Sequence, residues 1–256
     1  MAEFTSISWS DATWNPWIGC QKVGPGCENC YALARDVRFD KGVHWGPGAP
    51  RRRTSAANWR MPYRWNRLAQ AAGVRKRVFC ASLADVFDNA VDPQWRRDVA
   101  KVIRETPHLD WMLLTKRIGI VQKLVDRDFD GELPGNVWLG ASIVTQEEAD
   151  RDVSRLLEVN ASIHWLSMEP LLERVVIDPA MMARLDMIVV GGESGKNART
   201  MNLEWAYDLL DQAHRGDTAF HFKQMSQADR PSDYGDFQAF PAGLRVRELP
   251  REKTNA

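Results

Sequence analysis

The hydrophobic positions of the chain fall into short blocks separated by longer amphipathic stretches. Apolar runs stand at Val78 to Ala81, Trp111 to Leu114, Val137 to Ala141, His164 to Leu166, Met187 to Val190 and Ala219 to Phe222. Short runs without polar alternation suit strands buried on both faces, as in a parallel sheet. Between them lie stretches of helical periodicity: Pro93 to Glu105, Ile118 to Val125, Gln146 to Leu157 and Leu203 to His214. Asp92-Pro93 and Asn202 stand at helix starts, where a short polar side chain accepts from the first unpaired backbone N–H groups. Regular alternation of strand and helix implies right-handed crossovers between parallel strands. With a first strand within Ala12 to Ile18, the pattern predicts an α/β fold, a full or partial β/α barrel of the TIM type. An open doubly wound sheet is the alternative.

The residues that follow each apolar run are polar. In chain order they are Ser82 and Asp85; Thr115, Lys116 and Arg117; Ser142; Ser167 and Glu169; Gly191, Gly192, Glu193 and Ser194; and Lys223 and Gln224. In a β/α barrel these positions share the C-terminal rim, where active sites are built. Lys116, Arg117, Glu169, Glu193 and Lys223 place both signs of charge there, and Glu169, Glu193 and Lys223 are the candidates for acid–base work. Gly191 and Gly192 leave room for a close approach to the backbone. Each residue taken alone reads equally well as a helix cap or turn former.

The most chemically loaded stretch precedes all of this. In Ala12 to Tyr31, ATWNPWIGCQKVGPGCENCY, three of the four cysteines stand at positions 20, 27 and 30. Gly19, Gly24, Pro25 and Gly26 bend the backbone, so Cys20, Cys27 and Cys30 can converge in a way that no helix or strand allows. Convergent thiolates point to a metal. A structural zinc ion takes four protein ligands, so Cys80 or His44 would have to complete it. A 4Fe-4S cluster on three cysteines instead keeps one iron open. A disulfide and unliganded buried thiols are the plain alternatives, and no secretory signal precedes the loop to favour the disulfide.

Composition sharpens the reading in two places. The 34 basic and 34 acidic side chains cancel, so no global field draws the protein to nucleic acid or to an anionic membrane, and binding of that kind must be local. No apolar run approaches the roughly 20 residues of a membrane span, which leads to the expectation of a cytoplasmic protein. Locally, Arg51 to Arg77 carries nine Arg or Lys and no acid, with Trp59, Tyr63 and Trp65 interleaved. Guanidinium groups beside stacking rings suit a phosphate backbone and an unstacked base. Arg51, Arg52, Arg53, Trp59, Arg60, Arg64 and Trp65 are therefore the candidate nucleic-acid contacts, against the alternative of a solvated basic face on a helical insertion. Eleven tryptophans serve core and pocket alike. One barrel domain is expected over 1–226, with the cysteine loop at 12–31 and the basic insertion at 51–77. A polar, turn-rich C-terminal wrap and tail follow over 227–256.

The segments DATWNPWIGC, GCENCY, WGPGAPRRRTS, LTKR, SMEPLL, GGESG and FKQ, in this order, resemble an uncharacterised family of bacterial and phage proteins defined by a three-cysteine motif and regarded as radical-SAM-like. That resemblance spans about Ile7 to Met225. It implies a partial β/α barrel holding a 4Fe-4S cluster on Cys20, Cys27 and Cys30, with S-adenosylmethionine at the open iron. The spacing here is six and then two residues, against the superfamily's usual three and two. The Gly-Gly-Glu that usually follows the second strand comes after a late one. By position, Ser82, Asp85, Lys116 and Arg117 are the candidates for the cofactor's amine and carboxylate, with Thr115, Ser142, Gly191 and Gly192 as further cofactor contacts.

The reading that results is an iron–sulfur enzyme performing radical chemistry on a nucleic acid or nucleotide-like substrate, supplied with electrons by a separate donor. A zinc-stabilised nucleic-acid-binding module and a metal-dependent hydrolase or lyase using Glu169, Glu193 and Lys223 are the two alternatives.

Overall fold

The computed structural model describes residues 5–250. Its strands are β1 (Ala12–Trp14), β2 (Trp17–Ile18), β3 (Arg52–Arg53), β4 (Lys76–Cys80), β5 (Leu109–Thr115), β6 (Val137–Ser142), β7 (Ile163–Met168), β8 (Met187–Gly191) and β9 (Ala219–Gln224). Its α-helices are α1 (Tyr31–Asp40), α2 (Ala56–Ala72), α3 (Pro93–Arg104), α4 (Val121–Asp128), α5 (Gln146–Glu158), α6 (Pro179–Met182) and α7 (Leu203–Arg215). Seven strands form one sheet in the order β1-β4-β5-β6-β7-β8-β9, while β2 and β3 pair separately and antiparallel. The architecture is a partial β/α barrel, as the alternation of apolar runs predicts. No helix among the described residues is long and apolar enough to cross a membrane.

Two compact units are distinguishable, 1–140 with 159–162, and 141–158 with 163–256. In the first, β4 lies parallel to β1 and β5, with Cys80 level with Trp14 on one side and Leu113 on the other. Trp14, Trp111, Val78, Leu113 and Val99 are fully buried around these strands. Trp14 packs edge-on against both Trp59 and Trp111 at centroid distances of 5.1 and 5.3 Å. Helix α3 opens as the sequence predicts, with the Asp92 carboxylate accepting from the Gln94 N–H and Pro93 at its first position.

In the second unit, β8 runs parallel between β7 and β9. Helix α7 starts at Asn202, whose side chain accepts from the Glu204 N–H. The segment beyond residue 226, expected as a wrap and frayed tail, is fastened along its described length. Phe240 and Leu244 are buried, and Phe222 N–H donates to Val246 O at 2.9 Å while Glu248 N–H donates to Phe220 O at 3.0 Å. This segment therefore satisfies the outer edge of β9, an edge that would otherwise invite pairing with another chain.

Candidate functional site

The cysteine loop is held against the C-terminal end of β4 by backbone and amide contacts. Asn15 lies between β1 and β2 and is buried at 2% exposure. Its Nδ2 donates to Ser82 Oγ at 2.9 Å and its Oδ1 accepts from the Leu83 N–H at 2.7 Å. Gly19 N–H donates to Leu83 O at 3.1 Å, and the Tyr31 hydroxyl donates to Ser82 O at 2.7 Å. Gly19 has φ +114°, and a Cβ there would stand 2.4 Å from His44 O, so no side chain fits between loop and turn. Ser82 is thus engaged in holding the loop. The sequence pattern does not mark Tyr31 as a holding residue, whereas a lone amide inside the apolar run TWNPWI is a signal for Asn15.

Behind the loop lies a buried ion pair. Asp85 Oδ2 sits 2.8 Å from Arg117 Nη1, and the two side chains are 7% and 6% exposed. The same carboxylate accepts from Thr115 Oγ1 at 3.0 Å, from the Lys116 N–H at 3.3 Å and, through Oδ1, from the Phe87 N–H at 2.9 Å. Thr115 Oγ1 in turn accepts from the Arg117 N–H at 2.9 Å. Asp85 and Thr115, expected to touch a cofactor, are spent on orienting the guanidinium. That guanidinium points back to the loop, donating to Gln21 O at 3.0 Å and reaching Cys20 Sγ at 3.5 Å. Burial tends to lower the Arg117 pKa, but the facing Asp85 and Cys20 outweigh it and raise it further. Burial, with the negative Asp85 behind it, pushes the Cys20 thiol up to about 11, against the opposing pull of Arg117.

The donor set, three thiols on one loop, fits a group that takes three protein ligands. Cys20, Cys27 and Cys30 are free thiols. Cys27 lies in a short 3-10 turn over Pro25–Cys27, and Cys30 caps α1. A cubane cluster binds each thiolate to a different iron and can take three cysteines with one iron left open, whereas a structural zinc ion takes four protein ligands. Cys80 is wholly buried within β4, where burial raises its pKa. His44 groups instead with Asp36 and Asp40.

The basic segment divides according to helical phase. In α2 the buried residues are Asn58, Pro62, Trp65 and Ala69, one stripe at i, i+4, i+7 and i+11. Trp65 is 2% exposed and Trp59 half-buried, with the Arg53 guanidinium over its ring at 4.1 Å. Arg51 is buried, its Nε 2.7 Å from the fully buried Asp88 and its Nη1 donating to Ala49 O at 2.8 Å. Arg53 pairs with Asp98 at 2.7 Å. Arg51 and Trp65 therefore correct the expectation of a phosphate contact and a stacking platform: they hold the insertion onto the unit. Arg60, Arg64 and Arg67 lie exposed on the opposite face of α2, and Arg52 is also exposed.

In the second unit, Glu193 accepts from the Arg199 N–H, Nε and Nη2 at 2.8, 2.9 and 2.6 Å, closing the loop 193–199 on itself. A carboxylate held in a two-pronged arginine contact is poorly placed to exchange a proton, so Glu193 clamps its loop. A Cβ on Gly192 would meet Ser226 N at 2.3 Å, so the close approach there is by the chain's own backbone. Gly191 likewise faces Glu169 Oε1 and Gln224. Ser142 and Ser167 are buried, Ser167 with its hydroxyl 3.4 Å from Glu169 Oε2. Lys223 Nζ lies 2.9 Å from Glu169 Oε1, with 26% and 10% of the two side chains exposed. This pair stands at the ends of β9 and β7, with Glu169 Oε1 itself shielded from solvent.

Comparison with known proteins agrees with this architecture. No curated protein matches the chain in sequence. Among solved structures the chain is similar to a cysteine-to-serine variant of spore photoproduct lyase, with TM-score 0.55 and 13% identity over 87% of this chain and 80% of that one. A variant of the same lyase with bound S-adenosylmethionine and dinucleoside spore photoproduct gives 0.50 and 12% over 81% and 73%. A third, with dinucleoside spore photoproduct, gives 0.51 and 12% over 80% and 75%. At such identity the likeness is one of fold, that of a partial β/α barrel. A family model described as "Protein of unknown function (DUF5131)" matches residues 4–243, and the chain belongs to that family.

Proposed function

We propose that the protein is a radical S-adenosylmethionine enzyme that modifies or repairs a nucleic acid or a nucleotide-like substrate. The observation that carries this reading is the three-cysteine loop fastened over the end of β4, with the buried Arg117 guanidinium reaching Cys20 Sγ at 3.5 Å. Cys20, Cys27 and Cys30 would hold a 4Fe-4S cluster. Such a cluster, with S-adenosylmethionine and one electron from a low-potential donor, would supply the chemistry of hydrogen-atom abstraction from the substrate. The chain's own residues supply position and charge. Arg117, fixed by Asp85 and Thr115, places a permanent positive donor beside Cys20, where it offsets thiolate charge. Lys116, half-buried next to it, is assigned to the cofactor's carboxylate.

Two observations support the substrate class. The same fold in spore photoproduct lyase accommodates a dinucleoside, and α2 carries the exposed stripe Arg60, Arg64 and Arg67, suited to phosphates. Glu169 and Lys223 form an ion pair with part of its surface open, which can hold a polar substrate group or exchange a proton with it.

The test is anaerobic incubation of cluster-loaded protein with S-adenosylmethionine and a strong reductant, followed by chromatography with mass detection. Formation of 5′-deoxyadenosine, abolished in Cys27→Ala, is expected. Intact S-adenosylmethionine in the presence of a reduced cluster would refute the proposal.

A further inference from the structure

We propose that Asp36, Asp40 and His44 form a binding site for a divalent first-row transition ion, separate from the cysteine loop. Their ligand atoms lie within 4.8 Å of one another, the one such trio of His, Cys, Asp or Glu among the described residues. Acidic neighbours alone would not make a site; the buried carboxylate does. Asp36 is 1% exposed. Its Oδ2 accepts from the His44 N–H at 3.1 Å, while its Oδ1, equally inaccessible to water, has no hydrogen-bond partner. A buried carboxylate oxygen left bare costs free energy unless a cation or donor meets it.

The histidine is set up in the manner of a ligand. Arg52 Nε donates to His44 Nε2 at 3.1 Å, which makes that nitrogen the lone-pair bearer. The proton is then on Nδ1, which faces Pro50 O at 3.2 Å. A ligating imidazole commonly donates its other N–H to a backbone carbonyl in this way, fixing tautomer and ring orientation. The site already attracts a cation, since the Arg52 guanidinium also lies 3.3 Å from Asp40 Oδ2. Its side chain is 45% exposed and free to withdraw into solvent. Two carboxylates with one imidazole suit Mn²⁺, Fe²⁺ or Zn²⁺ better than the all-oxygen preference of Mg²⁺ or Ca²⁺.

Helix α1 has an evident use for such an ion. It buries only Ala32 and Asp36, so it has almost no apolar anchor, and Tyr31, Val37 and Phe39 are exposed. The turn that follows it touches the cysteine loop through the Cys20 to Trp45 bridge and through Gly46 N–H donating to Cys20 O at 2.9 Å. An ion at Asp36, Asp40 and His44 would fasten the end of the helix to the turn beside Cys20.

The site is tested with Mn²⁺ on the full chain, following the electron paramagnetic resonance signal of the free aqueous ion. One saturable Mn²⁺ per chain is expected. Asp40→Asn and His44→Gln should each weaken it by about tenfold or more. Arg52→Gln, which removes the internal competitor, should tighten it by about two- to fivefold, the worth of an exposed ion pair. Cys27→Ser should leave it unchanged. Should Asp36→Asn fail to fold, the half-buried Asp40 decides the matter. Absence of saturable binding overturns the proposal, as does affinity indifferent to Asp40→Asn and His44→Gln, or binding lost in Cys27→Ser. Because the readout does not use S-adenosylmethionine, its failure is distinct from that of the radical-enzyme reading.

Discussion

The strand ends of the two units carry similar letters and use them differently. In the first unit, Asp85 and Arg117 are nearly inaccessible, and their hydrogen bonds run outward through the guanidinium to a thiol. In the second, Glu193 turns back on Arg199 within its own loop, while Glu169 pairs with Lys223 from another strand end. Charge at a strand end is therefore weak evidence of chemistry. What separates a clamp from a functional group is whether its local partners use up its hydrogen-bonding capacity.

The largest expected effect comes from breaking the buried pair. Asp85→Ala leaves Arg117 uncompensated and should cost about 3 to 5 kcal/mol in denaturant unfolding. Glu193→Ala strands a partner that is 31% exposed, and should cost about 1 to 3 kcal/mol. Equal losses would erase the distinction between the units. Within the basic segment, Trp65→Ala should destabilise by about 3 to 5 kcal/mol as a core deletion. Next in size is cofactor affinity: Lys116→Ala should weaken S-adenosylmethionine by about 1.5 to 3 kcal/mol by calorimetry. Lys223→Ala should leave that affinity intact and lower turnover. A smaller effect is expected on α2, where Arg60→Gln with Arg64→Gln should flatten the salt dependence of single-strand binding by about 1.4 logarithmic units, without loss of stability.

Acidification acts on the first unit in a definite direction. Burial alone would raise the Asp128 pKa, but hydrogen bonds from Arg127 and Arg96 outweigh it and hold the carboxylate below its ordinary range. A group depressed in the folded state contributes stability above its unfolded pKa and loses it as pH falls through the folded value. Unfolding midpoints should therefore drop below about pH 4, and Asp128→Asn should lessen that dependence.

The alternation of apolar runs made the parallel sheet legible, since each run is a strand buried on both faces and needs no partner to be recognised. The cysteine loop was legible for the same reason of locality: bends and thiols stand side by side in sequence. The basic segment was not, because nine positive charges hide a helical phase. Asn58, Pro62, Trp65 and Ala69 turn inward while Arg60, Arg64 and Arg67 turn outward. Arg51 reads as a phosphate contact in the sequence because its partner, Asp88, lies 37 residues away. The Asp36, Asp40 and His44 cluster is not legible in the sequence either, since a helix end and the turn after it look like ordinary solvated charge.

The central claim, a cluster on three loop cysteines, is tested most directly by iron and sulfide content together with visible absorption after anaerobic reconstitution. The account predicts about four irons and four sulfides per chain, lost in Cys27→Ala and retained in Cys80→Ala, whose thiol lies wholly within the core. Stoichiometric zinc without broad visible absorption, or loss of metal in Cys80→Ala, would contradict it.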